Sequence, residues 1–318
     1  VIRPADATAL RDAARRLRAG ELVAFPTETV YGLGADASNP QAVAKIFAAK
    51  GRPADHPLIV HLADAGHLPQ WADVIPPAAD ALAARFWPGP LTLILHKREA
   101  VPDAVTGGQQ SVGLRVPAHP VAQALLAAFG GGIAAPSANR YGRVSPTTAA
   151  HVAHEFGATL PLILDGGACA VGIESTIIDF TSGRAVLLRP GGVAASALAE
   201  VLGYAPAAPG VSAPRASGTL AQHYAPHTPT DLASAAQLAA FASALAPELA
   251  VWARSPAPQG FPGLWLVAPE APEDYARELY ATLRLLDTSG AKRILVQAPP
   301  ATPAWEAVND RLRRATTR

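Results

Sequence analysis

The sequence predicts an α/β fold, a mixed, helix-flanked sheet followed by a second, smaller βα unit. Three observations lead there. Short apolar runs with strand character alternate with segments of helical spacing over about the first 200 residues. Three such runs, LPLILD, STIIDF and AVLLRP, then follow one another closely, which suits a mixed sheet better than a purely parallel one. After a Pro- and Gly-dense break the alternation resumes.

The elements follow in order. Asp6 can cap a helix through Ala19, with Leu10, Ala13, Ala14 and Leu17 on one face and Gly20 as its stop. The strand LVAFP comes next. Asn39 and Pro40 read as N-cap and first residue of NPQAVAKIFAAK, in which Val43, Ile46, Phe47 and Lys50 keep helical spacing and Gly51 is the C-terminal stop. PLIVHL is a strand, PAADALAARF a helix, LTLILHK and SVGLRV strands, PVAQALLAAF a helix, GIAAPS a strand and TTAAHVAHEF a helix. The clustered strands and a short helix, ASALAEVL, complete a first domain expected at 1–204. The stretch 205–229, containing YAPAAPGVSAPRASGTLAQHYAP, has neither period and reads as a linker. Residues 230–318 carry helix ASAAQLAAFASAL, strands LAVWAR and LWLVA, helix PEDYARELYATLRLLDTSG, strand RILVQA and helix WEAVNDRLRRA, a small Rossmann-like domain.

Lysine and arginine total 26 against 25 aspartate and glutamate, so no global field holds nucleic acid, and any anion site must be local. No apolar run approaches the roughly 20 residues of a membrane-crossing helix. The absence of a basic-then-apolar opening and the single cysteine, Cys169, lead to the expectation of a cytoplasmic protein. Cys169 reads as a packing or turn residue.

Gly32, Gly34 and Ala37 have the G-x-G-x-x-A spacing of a dinucleotide fingerprint. The context fails, because the helix cap Asn39 lies five residues past Gly34 and the glycines do not open the helix. P-loop, H-E-x-x-H and paired C-x-x-C patterns are absent. What remains is a set of polar loops at strand ends, where α/β sheets bind ligands. Singly each is ordinary: Lys50 in a last helical turn complements the helix dipole, PSAN is a good turn, and Arg189 suits an edge strand. Together they bring Lys50, Arg52, Arg115, Arg143 and Arg189 alongside Thr27, Thr29, Ser111, Ser137, Ser145, Ser175 and Thr176. Convergent cations repel one another without an anion, so the inventory calls for phosphates and a carboxylate.

FPTETVYGLG, KGRP followed by PLIVH, SVGLRVP, PSAN, STIID and, in the linker, HYAP occur in this order. In these motifs the chain resembles the threonylcarbamoyl-AMP synthases, the YrdC-domain family, in the long form with an added C-terminal domain. The resemblance implies a twisted open α/β sheet with a central cavity. It also implies a nucleotidyltransferase that makes threonylcarbamoyl-AMP and pyrophosphate from L-threonine, bicarbonate or carbon dioxide, and ATP. The product would pass to a tRNA threonylcarbamoyl transferase system. By the same resemblance Thr29, His61, Arg115, Ala135 and Ser175 match threonine-binding positions. Arg52, His56, Ser111, Ser137, Asn139, Ser145, Arg189 and Tyr224 match positions around ATP. His56 departs from the asparagine common there. Lys50 and Arg52 are expected to offset charge on the phosphates, with Mg²⁺ carried mainly by ATP. From a different class, an RNA-binding module in tRNA maturation or translation would turn the same cations toward a phosphate backbone.

Overall fold

The computed structural model describes residues 1–211, 213–219, 223–244 and 248–317, without the side chains of 242–244. It divides into two units, one of Val1–Tyr141 with Pro146–Thr219 and one of Gly142–Ser145 with Leu220–Arg318. Leu245, the expected end of helix ASAAQLAAFASAL, lies outside the described residues, as do 212 and 220–222 of the expected linker.

The first unit runs β1 (Ile2–Pro4), α1 (Ala7–Arg18), β2 (Val23–Phe25), β3 (Gly32–Asp36), α2 (Pro40–Lys50), β4 (Ile59–His61), α3 (Leu68–Trp71), α4 (Pro77–Phe86) and β5 (Leu91–His96). It continues through α5 (Asp103–Thr106), β6 (Ser111–Arg115), α6 (Pro120–Phe129), β7 (Ile133–Ala134), α7 (Ala149–Phe156), β8 (Ile163–Asp165), β9 (Thr176–Asp179), β10 (Val186–Arg189) and α8 (Ala195–Leu202). The helix starts obey their caps. Asp6 accepts from the Ala9 N–H at 2.8 Å, and Asn39 accepts from the Gln41 and Ala42 N–H groups at 3.0 and 3.1 Å. Gly51 ends α2 at φ 64°, a left-handed turn that glycine enters without steric cost.

The ten strands form one sheet in the order β1-β8-β2-β3-β7-β4-β6-β5-β9-β10. It is mixed: β4 and β6 are parallel, as are β5 and β9, whereas β2 and β3, β5 and β6, and β9 and β10 are antiparallel. Apolar side chains cover both faces, Ala13 and Leu17 of α1 joining Leu125 and Leu126 of α6 in one cluster, and Val43 and Ile46 of α2 joining Leu82 of α4 in the other.

Three short elements exceed the sequence expectation: β1, α3 and α5 are too short to show a period. β3 was masked differently, by glycines that ordinarily signal loops. A Cβ on Gly34 would stand 2.8 Å from the Phe25 ring and 2.9 Å from an Ile133 methyl, so glycine is there to let flanking side chains close over the strand.

The second unit holds β11 (Thr230–Ala233), α9 (Ala235–Ala244), β12 (Leu249–Ala253), β13 (Leu264–Val267), α10 (Pro272–Asp287), β14 (Arg293–Gln297) and α11 (Glu306–Thr316). Its four strands are all parallel in the order β11-β14-β12-β13. Trp252 stacks on Tyr275 with ring centroids 4.0 Å apart. The strand β11 precedes the helix that the sequence reading began at Ala233. No helix among the described residues is long and apolar enough to cross a membrane.

The stretch 205–229 differs from a free linker. Its first part packs on the first unit: Ala207 pairs with the edge strand β10, and Ala213 and Ala216 cover Ile94, Ile177, Val186 and Leu188. Arg215 forms an ion pair with Asp55 at 3.0 Å, and its N–H donates to Gln109 at 2.7 Å. This segment is a strap. A first unit ended after Thr219 is therefore expected to keep that apolar cluster covered, and one ended after Leu202 to expose it. The check is dye binding to exposed apolar surface together with thermal unfolding; indistinguishable behaviour of the two truncations would remove the strap's structural role.

Candidate active site

Alternation along β6 puts Ser111, Gly113 and Arg115 on one face of the sheet. The parallel register pairs His61 of β4 with Arg115 and Ile59 with Gly113, so the same face continues across β4. Antiparallel β5 places Ile94 against Gly113, and extending that register sets Thr92 beside Arg115. The expected threonine-side residues thus converge at strand ends in the middle of the sheet.

Arg115 is their hub. It is 4% exposed, and all three of its guanidinium nitrogens are engaged. Nε donates to the Gly89 carbonyl at 3.2 Å, Nη1 to the Thr29 hydroxyl at 2.9 Å and Nη2 to Glu28 Oε1 at 2.6 Å. Glu28 Oε2 in turn accepts from the Ala118 N–H at 3.0 Å. The sequence inventory counted cations and hydroxyls and passed over Glu28, although TET places it directly before Thr29. The missed signal is physical: an arginine in a strand interior needs a counter-ion.

His61 is buried, edge-on to Phe25 with centroids 6.1 Å apart. Burial, reinforced by the neighbouring Arg115 charge, pulls its pKa down to about 3, so the imidazole is neutral. Its Nδ1 has no partner within the described residues. Ala135 follows β7, and its N–H donates to the Ile59 carbonyl at 3.0 Å. Ser175 precedes β9; its hydroxyl lies 2.8 Å from that of Thr92.

Arg189 joins this group from the edge. The β9–β10 register shifts between Leu187 and Arg189, a bulge that re-aims the side chain. Arg189 donates through Nε and Nη2 to the Ser175 carbonyl at 3.1 and 2.8 Å, and through Nη1 to the Ser217 carbonyl of the strap at 2.7 Å. Next to it, a Cβ on Gly191 would stand 2.4 Å from backbone atoms of Glu174, Ser175 and Thr176, so only glycine permits the approach. A small cleft on this face is lined by Thr92, Ser111 and Gly113 and roofed by Ala216 and Ser217.

Lys50 departs from the expectation that it faces phosphates. Its ammonium is buried and donates to the carbonyls of Ser137 and Asn139. Desolvation, with Arg52 adding to it, holds its pKa well below that of an exposed lysine. A buried ammonium needs acceptors, and the PSAN turn supplies them; Lys50 therefore builds the wall. Arg52 is also buried and donates to the Pro57 carbonyl at 2.9 Å. His56 sits 3.3 Å from the Tyr141 hydroxyl, its pKa lowered by burial and by Arg52. Ser137 bridges to Gly32, and the Asn139 side chain donates to the Arg140 carbonyl at 2.7 Å.

Ser145 and Tyr224 belong to the second unit. The Ser145 carbonyl accepts from Arg284 at 3.4 Å. Tyr224 is buried between Tyr280 and Arg311, at 5.5 and 5.4 Å, and it alone among described non-glycine residues has positive φ, 62°. Lys50, Arg52, Arg115 and Arg189 are all at most 8% exposed, so none of these four presents its charge at the surface as the RNA-module reading requires.

Two family models divide the chain. Residues 15–191 match the Sua5–YciO–YrdC model, described as "Telomere recombination", and residues 193–317 match one described as "Threonylcarbamoyl-AMP synthase, C-terminal domain". A threonylcarbamoyl-AMP synthase of Pyrococcus abyssi is 51% identical over 222 residues, 68% of this chain and 65% of that protein. One from Bacillus subtilis is 48% identical over 225 residues, 69% of this chain and 65% of that protein. The chain thus spans just under two thirds of the length of these curated relatives in the matched segments. The crystal structure of P. abyssi Sua5 complexed with L-threonine superposes with a TM-score of 0.90 at 39% identity, covering 99% of this chain and 96% of that one. A variant of that relative with an adjacent histidine and tyrosine changed to alanine gives a TM-score of 0.89 at 39% identity, covering 96% and 92%.

The neutral His61 has a consequence for stability. The unfolded chain takes up a proton near pH 6.5, whereas folded His61 resists it down to about 3. Its contribution is full above pH 6.5 and declines as the pH falls through that window. Denaturant unfolding should show His61→Asn losing less stability than wild type between pH 6.5 and 4, by up to about 3 kcal/mol. Equal slopes would refute a neutral buried imidazole.

Proposed function

The chain belongs to the Sua5–YciO–YrdC family, and from that premise we propose that it is a threonylcarbamoyl-AMP synthase. Its substrates in this reading are L-threonine, bicarbonate or carbon dioxide, and ATP. The observation that carries it is the convergence of Thr29, His61 and Ser175 around buried Arg115, a polar site for one small carboxylate at the centre of an apolar sheet.

Arg115 receives the threonine carboxylate, exchanging part of its present hydrogen bonding for it. Thr29, Ser175 and the neutral His61 orient the rest of the molecule, and Ala135 contributes through its backbone. The substrate's ammonium gives a proton to solvent, the amine nitrogen bonds to carbon dioxide, and a second proton goes to solvent, giving a carbamate. A carbamate oxygen then attacks the α-phosphate, the bond to the β-phosphate breaks, and pyrophosphate leaves. Ser111, Arg52, Asn139 and Arg189 hold the nucleotide end, with Ser137 and His56 beside them; Ser145 and Tyr224 keep their expected nucleotide roles. The strained φ of Tyr224 supports its assignment, since such residues gather at functional sites. The chain's one adjacent His–Tyr pair is His223–Tyr224, the dipeptide type altered in the relative's variant.

The fit to Mg²⁺ is through the substrate. Among the described residues there is no group of three or more histidine, cysteine, aspartate or glutamate side chains able to hold a metal, and the phosphate-side positions are hydrogen-bond donors. Mg²⁺ on the phosphates would offset charge on the leaving pyrophosphate. The protein's part is positioning and electrostatics. The product then passes to a tRNA threonylcarbamoyl transferase system, with work in the cytoplasm; the free, buried Cys169 suits a reducing compartment.

The test is pyrophosphate release from ATP, with and without L-threonine and bicarbonate. Release that ignores threonine would overturn the reading. A charge-assisted hydrogen bond contributes about 1.5–3 kcal/mol, so Arg115→Ala should raise the threonine KM by at least about tenfold. An unchanged threonine dependence would remove Arg115 from the site.

A further inference from the structure

We propose that Glu28 recognises the ammonium group of the amino-acid substrate, so that Arg115 and Glu28 together form a two-point clamp for a zwitterionic α-amino acid. The inference rests on the proposed function and specifies how that site selects its ligand.

The carboxylate lies in the loop between β2 and β3, 7% exposed, with Oε1 on Arg115 Nη2 at 2.6 Å and Oε2 on the Ala118 N–H at 3.0 Å. An ionised carboxylate offers about four acceptor positions, so two hydrogen bonds leave capacity for a further donor. The loop that carries it is fixed by a hydroxyl pair, Thr27 and Thr29 at 2.8 Å, and Thr27 also donates to the Val30 carbonyl at 2.7 Å. The Thr29 and Val30 N–H groups also donate to the Thr27 hydroxyl at 3.2 Å, closing the loop around Glu28.

Charge counting explains why a carboxylate belongs there. Around Arg115, His61 is neutral, and burial pushes the Cys169 thiol up to about 12, with Glu28 adding to the shift. The charges in direct contact there are the Arg115 guanidinium and the Glu28 carboxylate. A lone buried guanidinium would take any anion, including bicarbonate and the phosphates of ATP, both of which this reaction brings into the same cavity. Glu28 repels those ligands. It accepts one that carries its own positive charge next to its carboxylate. In an α-amino acid the two groups sit on one carbon, so an acceptor and donor in contact with each other match them. Selectivity built on a repulsive neighbour is a general device.

The experiment compares two ligands on one protein: calorimetric titration of L-threonine and of 3-hydroxybutyrate, which keeps the carboxylate and hydroxyl and lacks the amine. Wild type should prefer threonine, and Glu28→Gln should shrink that preference by at least about tenfold, through lost threonine affinity and gained 3-hydroxybutyrate affinity. The ratio of two affinities on one preparation does not depend on the folded fraction, so partial unfolding of the variant cannot imitate the result. Ser175→Ala, whose hydroxyl is on Thr92 and Arg189 rather than on the loop that carries Glu28, should weaken both ligands together. If Glu28→Gln also weakens both ligands equally, or neither, Glu28 acts only through Arg115 and the clamp is refuted. Wild-type pyrophosphate release that is independent of threonine would instead bring down the proposed function itself, and the clamp with it.

Discussion

The buried ion pair between Arg115 and Glu28 is the constraint from which the rest of the first unit's site follows. A guanidinium at the end of a central strand, 4% exposed, is tolerable only if its charge is matched and its donors are used. Breaking such a pair by deleting one member typically costs about 3–5 kcal/mol, because the other charge stays buried. The β2–β3 loop must therefore bring Glu28 and Thr29 to β6, and the Gly89 carbonyl must close on Nε. These requirements tie loop, strand and turn into one geometry before any ligand enters. Burial, reinforced by the Arg115 charge, also lowers the pKa of His61, which pairs with Arg115 across the parallel ladder.

The other buried cations follow the same rule with carbonyls in place of a carboxylate. Lys50 is spent on Ser137 and Asn139, and Arg189 on Ser175 and Ser217. Both fasten backbone segments that would otherwise be free polar loops. Side chains and the turns that they hold still are thus built together in this fold. Within the first unit the cations act first as builders.

That distinction marks how far the sequence could be read. The caps Asp6 and Asn39 and the stop Gly51 declare themselves, because local hydrogen bonding decides them. His61, Ser111, Arg115 and Ser175 are legible as strand-end positions, and they sit on or beside the neighbouring strands β4, β6, β5 and β9. What is not legible depends on distant partners. Gly32 and Gly34 look like loop residues until Phe25 and Ile133 are seen closing over them. Residues 205–219 have no period because they follow the surface of the sheet, and the strap is defined by what lies beneath it. Lys50 shows its charge in the sequence but not its direction, and Glu28 gains meaning only beside Arg115.

The β6 strand then gives the proposed function room for two ligands on one sheet. Ser111 and Arg115 are four residues apart on one face, which at roughly 3.3 Å per residue separates their backbones by about 13 Å. In the proposed function Arg115 would mark the amino-acid end, and Ser111 the nucleotide end. Between them Gly113 adds no side chain, and Thr92 and Ile59 form the floor beside it, with a Cβ at Gly113 falling 3.5 Å from the Thr92 methyl. A bulkier residue would raise a barrier where the proposed reaction brings its two ligands together. The strap lies over the same stretch through Ala216 and Ser217, and Arg189 links Ser217 to Ser175. Roof, floor and amino-acid end are therefore one connected network, so a change in how the roof is held reaches Ser175 through a single side chain.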